Sequence, residues 1–337
     1  MASVPKSKRK LYGQFFTNVA TAKYMAALFD FNLSKPQLHI LDAGAGSGIL
    51  SAAVVDKLVH DGYKGKIYLT CYETDKQVLS LLRTNLELVK SEYGVYYEIR
   101  QDNYITSQTF EDGYLFGEEK NAYDYIIGNP PYLKISKDAN EAKMMPSVCY
   151  GAPNLYFLFW AMGIHNLKQN AELVYIVPRS WTSGAYFKHF RQYLFANCVI
   201  TDMHLFESRD KVFEGESVLQ ETIIIKVKKT TLKPDYMNIT SSSTSAFEDV
   251  VKFSAPYETI VAQNQFVYLA TNENDVKVLS QVNHFDTTLP DMNMRMQTGI
   301  IVDFRTREVL RNQLENDSYP LFYSQHIKGG RVIWPLG

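Results

Sequence analysis

From Leu38 to about Lys229, short apolar runs alternate with longer stretches in which apolar residues recur at every third or fourth position. The short runs read as strands and the longer period as helices. The strands predicted in this way are Leu38–Leu41, Ile67–Tyr72, Tyr96–Arg100, Tyr123–Ile127, Leu173–Val177, Ile200–Phe206 and Thr222–Val227. Between them, Ile49–His60, Lys76–Lys90, Leu155–Leu167 and Ala185–Ala196 keep helical spacing. Strand and helix in alternation predict an α/β domain built on a mostly parallel sheet with helices on both faces.

Beyond Lys229 the pattern changes. A Lys-Pro pair leads into the polar patch Asn238–Ser245, which predicts a loop or linker. Strand-like runs follow at Phe266–Ala270, Ile300–Phe304 and Arg331–Trp334 without a repeat. Two regions are expected, residues 1–235 and residues 236–337. The second is expected to be incomplete, because the sequence stops at Trp334-Pro335-Leu336-Gly337 within what reads as structured chain.

The composition, 46% apolar and 21% charged over 337 residues, supports a full core and excludes global disorder. The basic start, Met1 to Lys10, is not followed by an uninterrupted apolar run, and no stretch reaches membrane-spanning length. A cytoplasmic protein with no membrane partner is expected. Cys71, Cys149 and Cys198 are too scattered for a disulfide framework or a zinc site, so no metal is expected. The net charge of −1 does not announce nucleic acid, although basic clusters occur locally, as at Lys134, Lys137 and Lys143.

Candidate chemistry begins at Leu41-Asp42-Ala43-Gly44-Ala45-Gly46-Ser47-Gly48, which follows an apolar strand and opens a helix. At the end of a first strand in an open α/β sheet, such glycines let the backbone approach a nucleotide cofactor, or simply make a tight strand–helix turn. The second strand ends at Glu73, where a carboxylate can accept both hydroxyls of a ribose. The third ends at Gln101-Asp102-Asn103, where a carboxylate can accept a ring amine. Each acid taken singly is more often a loop residue or helix cap; their order at successive strand ends favours a site.

Directly after the fourth strand comes Asn129-Pro130-Pro131-Tyr132. An amine on an aromatic ring is a poor nucleophile, because its lone pair is delocalised. If the Asn129 side-chain oxygen and the Pro130 carbonyl accept its two N–H bonds, the nitrogen is drawn toward tetrahedral geometry and its lone pair is aimed. Two consecutive prolines fix φ and hold these acceptors in place beforehand. Tyr132 offers a flat face for stacking a base. The plain structural alternative is a Pro-Pro turn that ends a strand.

Taken together, these motifs resemble the gamma class of amino-methyltransferases, the adenine-N6 DNA enzymes of restriction–modification systems. The resemblance covers roughly residues 11–230 and includes Gly13-Gln14-Phe15-Phe16-Thr17-Asn18, with Asn18 where the family usually has proline. It implies a Rossmann-like class I fold with a seven-stranded sheet, S-adenosylmethionine as cofactor, and double-stranded DNA whose target adenine is flipped out of the helix. A cognate restriction endonuclease is the implied partner. It assigns Thr17, Asp42, Gly44 and Gly46 to the methionine end of the cofactor, Glu73 to its ribose, and Asp102 and Asn103 to its adenine. Pro131 falls at the cofactor edge, and Asn129, Pro130, Pro131 and Tyr132 form the catalytic motif. Asn154-Leu155-Tyr156-Phe157-Leu158-Phe159 resembles the following helix motif, with Phe159 against the cofactor adenine or, on helical spacing alone, in the core. Phe213, in Val212-Phe213-Glu214-Gly215, is the second aromatic expected to sandwich the flipped base with Tyr132. The stretch after 235 resembles the opening of a DNA-recognition region. Glutamine-side-chain and RNA amino-methyltransferases share the Asn-Pro-Pro-Tyr chemistry and remain alternatives, as does a non-catalytic DNA-binding subunit with the same fold.

Overall fold

The computed structural model describes residues 17–110, 122–207, 222–296, 305–313 and 315–334. They divide into two compact units, Met1–His284 and Phe285–Gly337.

The first unit opens with helix α1 (Val19–Ala27), whose N-terminus is capped by the Asn18 side chain accepting from the Thr21 amide at 2.7 Å. Then follow β1 (Gln37–Ala43), α2 (Ile49–His60), β2 (Lys66–Tyr72), α3 (Lys76–Tyr93) and β3 (Tyr96–Arg100). Asp75 caps α3 and Gly94 ends it in the left-handed conformation. Next come β4 (Tyr123–Gly128), the short α4 (Asn140–Met144), α5 (Leu155–Asn166), β5 (Leu167–Pro178), α6 (Lys188–Asn197), β6 (Val199–Phe206) and β7 (Thr222–Lys228).

Every residue of β4 is buried, as expected of a strand covered on both faces. Helix α5 is apolar almost all round, and Trp160 packs edge-on against Trp181 at 5.0 Å and against Phe190 at 5.1 Å. This is one continuous core, and it fixes the strand ends that carry the site.

The sheet is larger than the seven strands expected. Its order is β3-β2-β1-β4-β5-β7-β6, extended by β8 (Tyr236–Ser242) and β9 (Val251–Pro256) into nine strands. Strands β1 to β5 run parallel, β7 is antiparallel between β5 and β6, and β8 joins β6 in parallel. The polar patch 238–245 is therefore largely strand. In β8, Met237, Ile239 and Ser241 point inward while Tyr236 and Asn238 face solvent. The buried hydroxyls are satisfied: Ser241 donates to the Thr271 carbonyl at 3.2 Å and Ser242 to that of Thr244 at 2.8 Å. With α7 (Tyr257–Ile260) and α8 (Glu273–Val282), the first unit runs to His284 rather than ending at 235.

The run Phe266–Ala270 is not a strand; Val267 makes one isolated bridge to Val261. Ile300–Phe304 lies outside the described residues. In the second unit, β10 (Ile327–Lys328) and β11 (Arg331–Val332) form a hairpin closed by Gly329 and Gly330, both at positive φ. Among the described residues, no helix is long and apolar enough to cross a membrane.

Candidate active site

The carboxyl ends of β1, β2, β3 and β4 meet around one cavity of about 220 Å³. After β1 the backbone turns through Gly44, Gly46 and Gly48 at φ of +77°, +56° and +80°. The amides of Gly44 and Ala45 both donate to the Tyr72 carbonyl at 2.9 Å, which ties this loop to the end of β2. A Cβ on Gly48 would stand 2.8 Å from Leu82 of α3, so glycine there lets α2 start against its neighbour. Gly44 faces the ring of Phe159, which a Cβ there would touch at 3.8 Å, and both residues line the cavity.

Two acids are built in at and beneath this rim with no cation beside them among the described residues. Asp42 is fully buried; its Oδ2 accepts from the Ser51 hydroxyl at 2.7 Å, and its Oδ1 has no hydrogen-bond partner among the described residues. Burial pushes its pKa up to about 7 against the pull of the Ser51 bonds. Glu73 is held by the amides of Asp75 and Gly46, one on each carboxylate oxygen at 2.8 Å, and burial raises its pKa as well. Each of its oxygens keeps acceptor capacity toward the cavity it lines.

At the end of β3, Asp102 is exposed at the cavity rim. The side chain of Asn103 is committed locally: its Oδ1 accepts from the amides of Ile105 and Thr106 at 3.0 and 3.1 Å, and its Nδ2 donates to Glu141 at 2.8 Å. It holds the turn that presents Asp102.

Asn129 follows Gly128, where a Cβ would come within 2.7 Å of the Tyr175 ring on the adjoining strand. Its Nδ2 donates to the Thr17 hydroxyl at 3.1 Å, joining two residues 112 positions apart. Thr17 precedes the α1 cap, and Asn18 in turn donates to Ser245 at 3.0 Å, beyond β8. Pro131 lines the cavity and Pro130 is buried behind it. Tyr132 is placed differently from the rest of the motif. Its hydroxyl donates to the Ile176 carbonyl at 3.0 Å, its ring stands edge-on to Tyr156, and it does not bound the cavity. Phe213 lies outside the described residues.

Of the residues selected from the sequence, Gly44, Gly46, Glu73, Asp102, Asn103, Asn129, Pro131 and Phe159 share this one cavity. Asp42 lies beneath it, and Thr17 reaches it through Asn129. Sequence reasoning missed Tyr72, Thr74, Val78, Tyr104, Leu133 and Leu155 in the lining. Each stands within a few residues of a motif position, so proximity to a motif was the available signal. Tyr104, whose ring meets Phe159 at 5.2 Å, is the clearest case, two residues after Asp102.

The model of a family described as Eco57I restriction-modification methylase matches residues 9–213. The Type II methyltransferase M.BsuBI of Bacillus subtilis is 34% identical over 339 residues, covering 98% of this chain and 66% of that protein. The Type II methyltransferase M.PstI of Providencia stuartii is 32% identical over 342 residues, covering 99% and 67%. The chain thus spans about two thirds of the length of these curated relatives. Among solved structures, a Listeria monocytogenes protein assigned to the class I S-adenosylmethionine-dependent methyltransferases matches with a TM-score of 0.54 at 17% identity, covering 68% of this chain and 66% of that one. At that identity the likeness concerns the fold.

Proposed function

Because the chain belongs to the Eco57I restriction-modification methylase family, we propose that it transfers a methyl group from S-adenosylmethionine to the N6 amine of an adenine turned out of duplex DNA. The observation that supports this most directly is that Asn129 and Pro131 bound the same cavity as Glu73 and Asp102, so an amine-gripping motif and a nucleoside-binding rim share one space.

The residues present fit that cofactor. Glu73 has acceptor capacity for two ribose hydroxyls, the exposed Asp102 carboxylate suits an adenine amine, and Phe159 and Tyr104 offer apolar faces to the ring. The unpartnered Oδ1 of Asp42, close under the glycine loop, and Thr17 suit the charged methionine end. When bound, the cofactor supplies an electrophilic methyl on a sulfonium.

Asn129 and Pro130 act on the other reactant. The bond from Nδ2 to Thr17 fixes the amide's orientation, and Oδ1 is its sole acceptor oxygen. With the Pro130 carbonyl it accepts the two N–H bonds of the target amine, raising the nitrogen's nucleophilicity without a strong base. The prolines hold both acceptors rigid, and after transfer the nitrogen releases a proton to solvent. Extruding a base costs a few kcal/mol. Tyr132 and Phe213 are proposed to supply the stacking faces that offset it, which requires Tyr132 to present its ring when DNA binds. The setting is proposed to be the cytoplasm, with an endonuclease cutting the same unmodified site as partner.

Incubation with methyl-labelled cofactor and duplex DNA, RNA or protein, followed by hydrolysis and mass spectrometry, tests the proposal. N6-methyladenine in DNA is expected. Label in RNA or on glutamine would replace it with one of the rival substrates, and no transfer to any of the three would favour a binding subunit.

A further inference from the structure

Immediately beyond the catalytic motif lies a surface that the proposed chemistry leaves unused. Leu133 and Leu155 line the cavity, and the segments that contain them run antiparallel. Leu155 donates to Leu133 and Ile135 to Pro153, both at 2.8 Å, with Lys134 bridged to Asn154. Just outside this pair stand Tyr150 and Tyr186, 52% and 60% exposed, with ring centroids 6.5 Å apart. Burial does not account for two large rings that are more than half in water.

The rings are nevertheless held. Phe187, next to Tyr186, is packed against Tyr156 and Phe157 at 5.9 and 5.6 Å. His189 stands edge-on to Tyr150 at 5.4 Å and is itself fixed at 2.9 Å to the Cys149 carbonyl. Gly151, at φ +76°, lets the loop lie against Tyr186, where a Cβ would come within 3.3 Å of the ring. The Lys134 ammonium stands 5.9 Å from the Tyr186 centroid and makes no ion pair among the described residues. Lys137 and Lys143, which follow Lys134 in the chain, and Arg179 and Lys188, which flank Tyr186, are exposed as well, against Asp138 and a Glu141 already engaged by Asn103.

We infer that Tyr150, Tyr186 and Lys134 form a platform for the DNA strand beside the extruded adenine, with a flanking base stacked on the rings and its phosphate at the lysine. This rests on the DNA reading above. It explains why the feature joins two flat π-faces to a cation rather than hydrogen-bonding groups. Stacking tolerates any base and the ammonium reads only the backbone, so the platform grips the strand regardless of sequence. Lys134 follows Leu133 of the cavity lining directly, which puts that grip where a strand must be splayed to deliver its base.

The test is anisotropy of labelled single-stranded DNA of mixed sequence with the full chain, over a salt series. The Tyr150→Ala/Tyr186→Ala variant should bind about tenfold more weakly, and Tyr150→Phe/Tyr186→Phe should bind as the wild type does. Lys134→Ala should lower the slope of log affinity on log salt by about 1. Cofactor affinity should not change in any of them. Unchanged affinity in the alanine pair, an unchanged slope in Lys134→Ala, or tighter binding of RNA than of DNA of the same sequence would overturn the inference. Methyl transfer by the wild type to unmodified genomic DNA is measured alongside. Transfer with indifferent variants removes the platform alone, whereas DNA binding that depends on the rings without any transfer removes the enzymatic reading and leaves the platform standing.

Discussion

The two ends of the central strands treat the same kind of residue in opposite ways. At the carboxyl ends, Asp42 and Glu73 are buried with a hydroxyl and backbone amides for company, and burial raises both pKa values. At the start of β4, Asp124 is just as buried, but it accepts from Lys35 at 2.6 Å, from the His39 amide at 2.9 Å and from Lys168 at 3.0 Å. Burial works to raise its pKa, and these bonds together outweigh it and lower the value. Nearby, the buried Lys226 gathers Asp30, Glu172 at 3.4 Å and Asp202 at 3.6 Å. Burial still dominates at Glu172, whose pKa stays raised despite that lysine. One end of the sheet is electrostatically closed, and the other holds two buried acids with no cation beside them among the described residues. That difference separates a structural acid from a candidate ligand more sharply than residue type can.

The largest expected effect breaks the closed end. Lys226→Ala strands three carboxylates, two of them largely buried, and should cost about 3–5 kcal/mol in urea unfolding, with cofactor affinity unchanged where the variant is folded. A loss below about 1 kcal/mol would show that the cluster is solvated and that the contrast between the ends is false. Next in size, Asn129→Ala should reduce the rate of methyl transfer by roughly a hundredfold to a thousandfold while cofactor affinity stays within a few-fold. Loss of cofactor binding in that variant would move Asn129 to the nucleoside rim.

Glu73→Ala sharpens the open end. Calorimetry should show cofactor binding weakened roughly tenfold to a hundredfold, with stability lowered by no more than about 1–3 kcal/mol, because two backbone amides lose their acceptor but no cation is stranded. A destabilised variant with normal affinity would make Glu73 a loop brace through its bonds to Gly46 and Asp75. The smallest effect is one of pH. In the folded protein Asp42 keeps its proton up to about pH 7, whereas in the unfolded chain it ionises near pH 4. Between those values the folded state binds more protons, so this group's contribution to stability falls as pH rises from about 4 to 7 and is level above that. Asp42→Asn should remove a decline of about 1–3 kcal/mol between pH 5 and 8, read from urea midpoints. Equal slopes in the two proteins would mean that Asp42 is solvated.

Much of this was legible before folding. Helix α2 coincides with its predicted span, and all seven predicted strands exist, because apolar runs bounded by turn residues report burial directly. The glycine loop and the strand-end acids converge as their order implied, since a parallel sheet brings successive carboxyl ends together. What was not legible has its own causes. Strand β8 was hidden because its inner face includes Ser241, and a buried serine looks polar until its partner, the Thr271 carbonyl, is known. Sequence brings Asn103 to the cavity, but it cannot show that both ends of its amide are taken up by Ile105, Thr106 and Glu141. Tyr132 stays a proposed stacking face, but its bond to Ile176 depends on how the motif folds back on β5 and could not be read from the sequence.

Local pattern alone therefore determined where the first seven strands and helices α2, α3 and α5 lie, which loop turns on glycine, and that an Asn-Pro-Pro-Tyr segment follows the fourth strand; periodicity and backbone stereochemistry act over a few residues and are written in order. Tertiary structure decided the placement of β7 between β5 and β6, the two added strands, the bond from Asn129 to Thr17 and the division of carboxylates into paired and open ends. Those depend on groups from about ten to well over a hundred positions apart and on which of them water can reach, and neither quantity exists until the chain has closed around its core.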